Sequence, residues 1–209
     1  MVKYKMVLFD SDGTLADTLP WASAAFNQLA DKYGFKPITA AEHDELRHLS
    51  MQEMMQRAKI PLWRLPALVT GLRKLMAEHV HEFSLFDGIS QSLQQLSQAG
   101  VVLGIVSSNS ANTVRAILGP DNTALIQHFA CSASIFGKAP KLRSVLRASG
   151  IAAGDTIYIG DETRDAEAAH KVGMAYGAVA WGYHDLKTLR AQSAAEYFLK
   201  PGEIGQKLG

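Results

Sequence analysis

The sequence predicts an α/β protein in which a doubly wound parallel sheet is interrupted by an inserted α-helical segment. Short apolar runs end abruptly in polar residues, which is typical of parallel strands buried on both faces, and helical patterns lie between them. Residues 17–86 break this alternation because they show only helical periodicity. We therefore predict a Rossmann-like core formed by residues 1–16 and 87–209, and a helical domain formed by residues 17–86.

The predicted strands of the core carry polar residues at their ends. The first strand runs into Asp10-Ser11-Asp12-Gly13, the second into Ser107-Ser108-Asn109, and a later one into Gly160-Asp161. In chain order, the predicted strands are 6–9, 101–106, 129–132, 156–159 and 176–181, and the clearest helices between them are 89–99 and 164–172.

The inserted segment contains four predicted helical stretches. Pro20, Gly34, Pro37, Pro61 and Pro66 interrupt or begin them, and the alternating pattern resumes after residue 86. The helical stretches cover residues 21–33, 40–49, 52–58 and 61–83.

Composition gives no reason to expect a nucleic acid or a membrane as partner. The 209 residues include 21 basic and 20 acidic side chains, for a formal net charge of +1. Cys131 is the only cysteine, which excludes an internal disulfide and fits a reducing cytoplasm. The apolar run before Asp10 is too short for a signal sequence or a membrane span. We expect a cytoplasmic protein that acts on a small molecule, either as a monomer or as a dimer.

The polar strand ends predict a phosphoryl-transfer site. Ligands of open parallel sheets bind outside the carboxyl ends of the strands, so Asp10, Asp12, Ser107 and Asp161 should converge there. One carboxylate can attack phosphorus while its neighbour protonates the leaving group and later deprotonates a water molecule. Together with Asp161, these carboxylates would suit Mg²⁺, while Ser107, backbone amides and a lysine would bind phosphate oxygens.

Each of these features also has a purely structural explanation. Asp10 or Asp12, taken singly, can be a turn residue or a helix N-cap. The residues from Ser107 to Asn109 can cap the following helix, and Asp161 suits the start of a helix because of the helix dipole. Their joint occurrence in one chain favours a site.

Four ordered motifs resemble the signatures of the haloacid dehalogenase superfamily of phosphohydrolases. They extend over essentially the whole chain, which makes the resemblance specific. The motifs are Phe9-Asp10-Ser11-Asp12-Gly13-Thr14-Leu15, Val106-Ser107-Ser108-Asn109, Lys138 within Phe136-Gly137-Lys138-Ala139-Pro140, and Ile159-Gly160-Asp161-Glu162-Thr163-Arg164-Asp165. The segment Ala180-Trp181-Gly182-Tyr183 also looks like one that is common in phosphoglycolate-phosphatase-like members.

The resemblance implies a Mg²⁺-dependent phosphatase that acts on a small phosphomonoester, either phosphoglycolate-like or a sugar phosphate. Asp10 would be the nucleophile and Asp12 the acid and base. The helical segment would be a cap that closes over the crevice and selects the substrate. The remaining roles implied are metal binding by Asp10, Asp161 and the backbone carbonyl of Asp12, phosphate binding by Ser107, Ser108, Asn109 and Lys138, and an indirect, water-mediated role for Asp165.

The third signature departs from the usual Lys-Pro-x-Pro pattern. It reads Lys138-Ala139-Pro140-Lys141 here, so Lys141 remains an alternative phosphate-binding lysine. In the cap, Arg47, His48 and Arg57 can contact a substrate or simply form a solvated face.

Several rival functions share the same motifs. Dehalogenases lack the second aspartate, so Asp12 argues against that branch. A sugar-phosphate mutase uses a similar cap and core, and a phosphonate hydrolase would need a cap lysine such as Lys59 or Lys74. A catalytically silent phosphate-binding module is the alternative from another class.

Overall fold

The computed structural model describes residues 2–37, 39, 42, 53, 56–57, 59–132 and 137–209. Most of the helix predicted at 40–49, most of the one predicted at 52–58, and the candidates Arg47 and His48 lie outside these residues. The described strands are β1 Met6–Phe9, β2 Val102–Ser107, β3 His128–Cys131, β4 Thr156–Gly160, β5 Ala175–Val179 and β6 Glu196–Phe198.

The six strands form one parallel sheet in the order β3-β2-β1-β4-β5-β6. The chain moves outward from β1 through β2 to β3 and then returns to β4 on the other side of β1, so the strand order reverses at β1. Phe9 pairs with Ile105 on one side and with Ile159 on the other. The residues that follow these three strands therefore emerge at the same edge of the sheet.

Among the described residues, the α-helices cover both faces of this sheet or belong to the insertion. In chain order they are α1 Leu19–Tyr33, α2 Leu65–Glu78, α3 Ile89–Gln98, α4 Ala111–Ala124, α5 Ala139–Ser149, α6 Thr163–Lys171, α7 Leu186–Arg190 and α8 Gly202–Leu208. Short 3₁₀ turns lie at Leu62–Arg64, Val80–Glu82 and Ala153–Asp155.

Strand β1 is apolar throughout because both of its faces are buried. Val7 and Phe9 pack into one core cluster, which includes residues of α3 and α8. Met6 and Leu8 pack into a second cluster, which includes residues of α5 and α6. This alternation confirms the doubly wound parallel sheet that the continuous apolar runs predicted.

Most predicted elements agree with the structure to within a few residues, and three differences have clear causes. Strand β5 ends at Val179, so Trp181 lies beyond it. Strand β6 was missed because it has only three residues, at the sheet edge, with no apolar run. The pattern at 61–83 divides into two 3₁₀ turns and α2, which ends where His79 leaves helical geometry at φ −108° and ψ 20°.

The insertion between β1 and β2 contains α1 and α2, which bury a small apolar cluster of their own around Leu29, Ile60 and Leu68. The two chain segments that join it to the core run side by side. The amide of Asp17 donates to the carbonyl oxygen of Ser84 at 3.0 Å, and the amide of Phe86 donates to Leu15 at 3.0 Å. These bonds lie at the two ends of the predicted cap range.

Within the described ranges, no helix combines the length and the apolar character that crossing a bilayer requires.

Candidate active site

Asp10 lies at the carboxyl end of β1 and is 3% exposed. Its amide donates to the carbonyl oxygen of Ile159 at 2.9 Å, which continues the pairing of β1 with β4. The chain then turns sharply, with Gly13 at φ 73°. A Cβ at Gly13 would lie 2.3 Å from Oδ2 of Asp161, so only glycine allows this close approach of the two strand ends.

Lys138 neutralises two carboxylates at the bottom of the crevice. Its Nζ lies 2.6 Å from Oδ2 of Asp10 and 2.6 Å from Oδ1 of Asp165, and all three side chains are buried. Burial favours the neutral amine, but the two carboxylates raise the pKa of Lys138 above its ordinary value. The first turn of α5 thus directs the predicted lysine to the predicted nucleophile.

Lys141 occupies a different position. Its Nζ donates to the backbone carbonyl of Ser107 at 2.6 Å and also to that of Ser132. Burial and then the charge of Lys138 lower the pKa of Lys141 to about 8. It therefore contacts the end of β2 and not the carboxylates.

The two carboxylate oxygens of Asp12 differ in their hydrogen bonding. Its Oδ2 accepts a hydrogen bond of 2.7 Å from Nδ2 of Asn109. Its Oδ1 is buried and has no hydrogen-bond partner among the described residues. Burial raises the pKa of Asp12 to about 6, although Lys138 and Arg164 act in the opposite direction. The second oxygen is thus available to a ligand.

The segment after β2 lies beside these carboxylates. Ser107 is buried, Ser108 is half-buried, and the amide of Asn109 donates to Oγ of Ser107 at 3.0 Å. The N-cap of α4 is Ser110, whose Oγ accepts from the amide of Thr113 at 3.1 Å. Residues 107–109 are therefore not the helix cap that the sequence also allowed.

Asp161 is fully buried, and both of its oxygens accept hydrogen bonds. Oδ1 accepts from Oγ1 of Thr14 at 2.6 Å, and Oδ2 accepts from the amide of Tyr183 at 2.7 Å. Trp181 donates its indole N–H to the carbonyl oxygen of Thr14 at 3.1 Å. A Cβ at Gly182 would lie 2.2 Å from Cβ of Asp161, so the segment after β5 packs directly on this carboxylate.

Three acidic side chains form a group that could hold a metal ion. One carboxylate oxygen from each of Asp10, Glu162 and Asp165 lies within 4.8 Å of the others. The sequence reasoning proposed Asp10 as a ligand and Asp165 as an indirect contributor, but it did not single out Glu162. The only sequence signal for Glu162 is that an acidic residue directly follows Asp161. Within the described part of the chain, the oxygens of Asp12 and Asp161 are not members of this group.

The charge balance of the crevice fits a divalent cation. Burial raises the pKa of Asp10 to about 7; Lys138 lowers it, and the charges of Asp165 and Asp12 raise it. Burial, followed by the charges of neighbouring carboxylates, also raises the pKa of Asp161 well above its usual range. The donors are all oxygens, as Mg²⁺ prefers, and Oδ1 of Asp12 lacks a partner among the described residues.

Comparison with known proteins agrees with this geometry. Residues 7–179 match the family described as haloacid dehalogenase-like hydrolase. A phosphoglycolate phosphatase of Synechococcus elongatus is 33% identical over 186 residues, which cover 88% of each chain. One of Xanthomonas campestris pv. campestris is 33% identical over 190 residues, covering 86% of this chain and 84% of the relative.

The fold comparison agrees with the architecture described above. A haloacid dehalogenase-like hydrolase of Streptococcus pneumoniae superposes with a TM-score of 0.82 at 21% identity, covering 98% of each chain. The enzyme class of the curated relatives, phosphoric monoester hydrolase, is also that of this protein. The match over most of the sequence, on a six-stranded parallel sheet with a helical insertion after its first strand, places this chain in the haloacid dehalogenase-like hydrolase family.

Proposed function

We propose that this protein hydrolyses a small phosphorylated acid of the phosphoglycolate type through a phospho-aspartate on Asp10, with Mg²⁺ as cofactor. The observation that carries the proposal is the contact of Lys138 with Asp10, at 2.6 Å, beside Asp12 and the end of β2. A nucleophile, an acid with a free oxygen and a cation thus lie at the carboxyl ends of adjacent strands, where ligands of such sheets bind.

Asp10 would attack phosphorus. Its carboxylate must be ionised for this, and Lys138 supports the ionised form by lowering the pKa of Asp10. The bond between Asp10 and phosphorus forms while the bond from phosphorus to the leaving oxygen breaks. We assign the binding of the phosphate oxygens to Lys138, Ser107, Ser108 and Asn109. Lys138 contacts Asp10, and Asn109 contacts Asp12.

Asp12 would carry the proton in both half-reactions. Asn109 fixes one of its oxygens, and the other is free to meet the leaving oxygen. Asp12 first donates its proton to the leaving oxygen, and then accepts a proton from the water that attacks the phospho-aspartate. Phosphate departs and the carboxylate of Asp10 is restored. A pKa of about 6 suits this double use, since efficient acid and base catalysis needs a pKa close to the working pH.

Mg²⁺, when bound, would offset the repulsion between the carboxylates and the phosphate. We propose Asp10, the backbone carbonyl of Asp12 and Asp161 as its ligands, with Asp165 acting indirectly, and we add Glu162 as a candidate because it shares the acidic group with Asp10 and Asp165.

We assign residues 17–86 to a cap that selects the substrate. Phosphoglycolate is proposed because the two curated relatives described above carry the name phosphoglycolate phosphatase. A phosphonate hydrolase would need one cap lysine, and the two candidates, Lys59 and Lys74, are both exposed. Lys74 also lies 4.0 Å from Glu78, so neither lysine favours imine chemistry.

The test is phosphate release from a panel of phosphomonoesters, with and without Mg²⁺, by the wild type, Asp10→Asn and a control, Asp31→Asn. Asp31 is exposed on α1. We expect release that depends on Mg²⁺, that is highest with phosphoglycolate, and that is lost only in Asp10→Asn, whose thermal unfolding should stay cooperative.

A phosphoryl group trapped on the wild type after acid quenching, and absent from Asp10→Asn, would identify the nucleophile directly. Full activity of Asp10→Asn in a clean preparation would refute the assignment. If no ester released phosphate, a mutase, a phosphonate hydrolase or a silent binding module would replace the proposal.

A further inference from the structure

The insertion directs one face of α2 toward the crevice. Met76 on this helix is buried, and its Sδ lies 3.0 Å from Nδ2 of Asn109, the same nitrogen that donates to Asp12. Arg73 precedes Met76 by three residues, and residues three apart lie on the same side of an α-helix. Arg73 therefore projects from the side of α2 that faces the carboxylates.

The other side of α2 packs within the insertion. Leu68, Leu72 and Leu75 pack with Leu29 of α1. Arg73 takes no part in this apolar cluster. Arg73 is nevertheless half-buried.

The charges around Arg73 are those of the site. Burial and the charge of Arg164 lower the pKa of Arg73, whereas Asp12 raises it. Arg73 in turn helps to lower the pKa of Lys141. Among the described residues, Arg73 has no hydrogen bond or ion pair. A guanidinium with five N–H donors thus lies within the electrostatic influence of both Asp12 and Arg164.

We propose that Arg73 binds the carboxylate of the substrate while the phosphate of the same molecule lies next to Asp10, so that Arg73 selects phosphorylated acids over esters with a neutral tail. This inference rests on the proposed function and deepens it. The planar guanidinium matches a carboxylate through two parallel hydrogen bonds. An ester with a neutral tail would leave the half-buried guanidinium unpaired, which a site built for an anion penalises strongly.

The experiment compares two esters that differ in the proposed contact, 2-phosphoglycolate and 2-hydroxyethyl phosphate. The variants are Arg73→Gln, Arg73→Lys and a matched control, Lys74→Gln, whose side chain is 79% exposed on the same helix. For Arg73→Gln we expect kcat/KM for phosphoglycolate to fall by about 100-fold, mainly through KM, and kcat/KM for the neutral ester to change by less than about threefold. Arg73→Lys should recover part of the loss, and Lys74→Gln should match the wild type.

Three outcomes would overturn the assignment. Equal losses with both esters would show that Arg73 supports the crevice as a whole. Unchanged kinetics with phosphoglycolate would show that it does not contact the substrate. With a sugar bisphosphate assayed as a third substrate, a larger loss with it than with phosphoglycolate would assign Arg73 to a second phosphate.

A binding measurement separates this inference from the proposed function. Calorimetric titration of phosphoglycolate into Asp10→Asn and into Asp10→Asn/Arg73→Gln requires no turnover. We expect the dissociation constant to rise by at least about tenfold when Arg73 is also replaced. An unchanged constant would refute the role of Arg73 even if the wild type were an active phosphatase, and a raised constant would support it even if turnover failed.

Discussion

Replacing Lys138 with methionine removes the positive charge and keeps the length of the side chain. Lys138 is 6% exposed, and its two carboxylate partners, at 2.6 Å each, are 4% and 0% exposed. Removing one member of such a buried ion pair typically costs about 3–5 kcal/mol, because the remaining charge loses its compensation. We therefore expect Lys138→Met to lose about 3–5 kcal/mol of unfolding free energy at about pH 8 without Mg²⁺.

The loss should depend on pH, and its sign follows from the proton balance. Lys138 lowers the pKa of Asp10, so its removal raises that pKa further above the value of about 7. The folded variant then binds a proton that the unfolded chain does not bind, and its stability falls as the pH rises above 7. At about pH 6, Asp10 is largely protonated in both proteins, so we expect the loss to be smaller there by at least about 1 kcal/mol.

Urea denaturation of wild type, Lys138→Met and Lys141→Met at both pH values provides the measurement. Lys141 is the matched control because it donates to backbone carbonyls, and its replacement should cost about 1–2 kcal/mol at either pH. Lys138→Met should also weaken the binding of inorganic phosphate more than Lys141→Met does. A loss below about 1 kcal/mol, or an equal loss at the two pH values, would refute the view that Lys138 neutralises Asp10.

Three further predictions concern the metal site and its support. Gly182→Ala should cost about 2 kcal/mol or more and weaken Mg²⁺ binding, because the new Cβ would lie 2.2 Å from Cβ of Asp161. The control is Gly154→Ala, where no heavy atom lies within 4 Å of the added Cβ, and it should change the unfolding free energy by less than about 0.5 kcal/mol. Both variants are compared with the wild type by differential scanning calorimetry. Equal effects of the two substitutions would contradict the steric explanation. Without metal, the melting temperature should fall from pH 4 to pH 7, because burial raises the pKa values of Asp12 to about 6 and Asp10 to about 7, and the folded chain then binds more protons than the unfolded chain. Mg²⁺ should raise the melting temperature more at about pH 8 than at about pH 5, and an equal rise at both would show that it does not bind these carboxylates.

The sequence predicted the parts of the fold that have a strong local pattern. The apolar run of β1 and its abrupt end at Asp10 follow from burial on both faces, and the structure confirms the sheet. Strand β6 has no such pattern, since it is a short edge strand that pairs only with β5. Its position depends on its contacts with the neighbouring strand and with the helix after it. A local sequence pattern does not contain this information.

The site shows the same division between local and long-range information. The sequence predicts Asp10 and Asp12 as site residues because they follow a strand in a recognisable motif. The choice between Lys138 and Lys141 could not be made from spacing, because it depends on where the first turn of α5 lies relative to β1. Arg73 was not singled out at all, since one arginine in an amphipathic helix carries no signal until the insertion is placed beside the core.

The convergence of buried carboxylates lowers the stability of the folded protein and at the same time favours the binding of a cation. Burial raises the pKa values of Asp10, Asp12 and Asp161, so their ionised forms destabilise the fold when no cation is bound. Lys138 forms ion pairs with Asp10 and Asp165, and its charge also lowers the pKa of Asp12, but burial still keeps that pKa raised. A cation bound at these carboxylates would supply the compensating charge. Asn109 donates to one oxygen of Asp12, and we propose that the other oxygen takes part in proton transfer. The cost of ionising these buried carboxylates and the metal affinity that we propose for them therefore have the same physical origin.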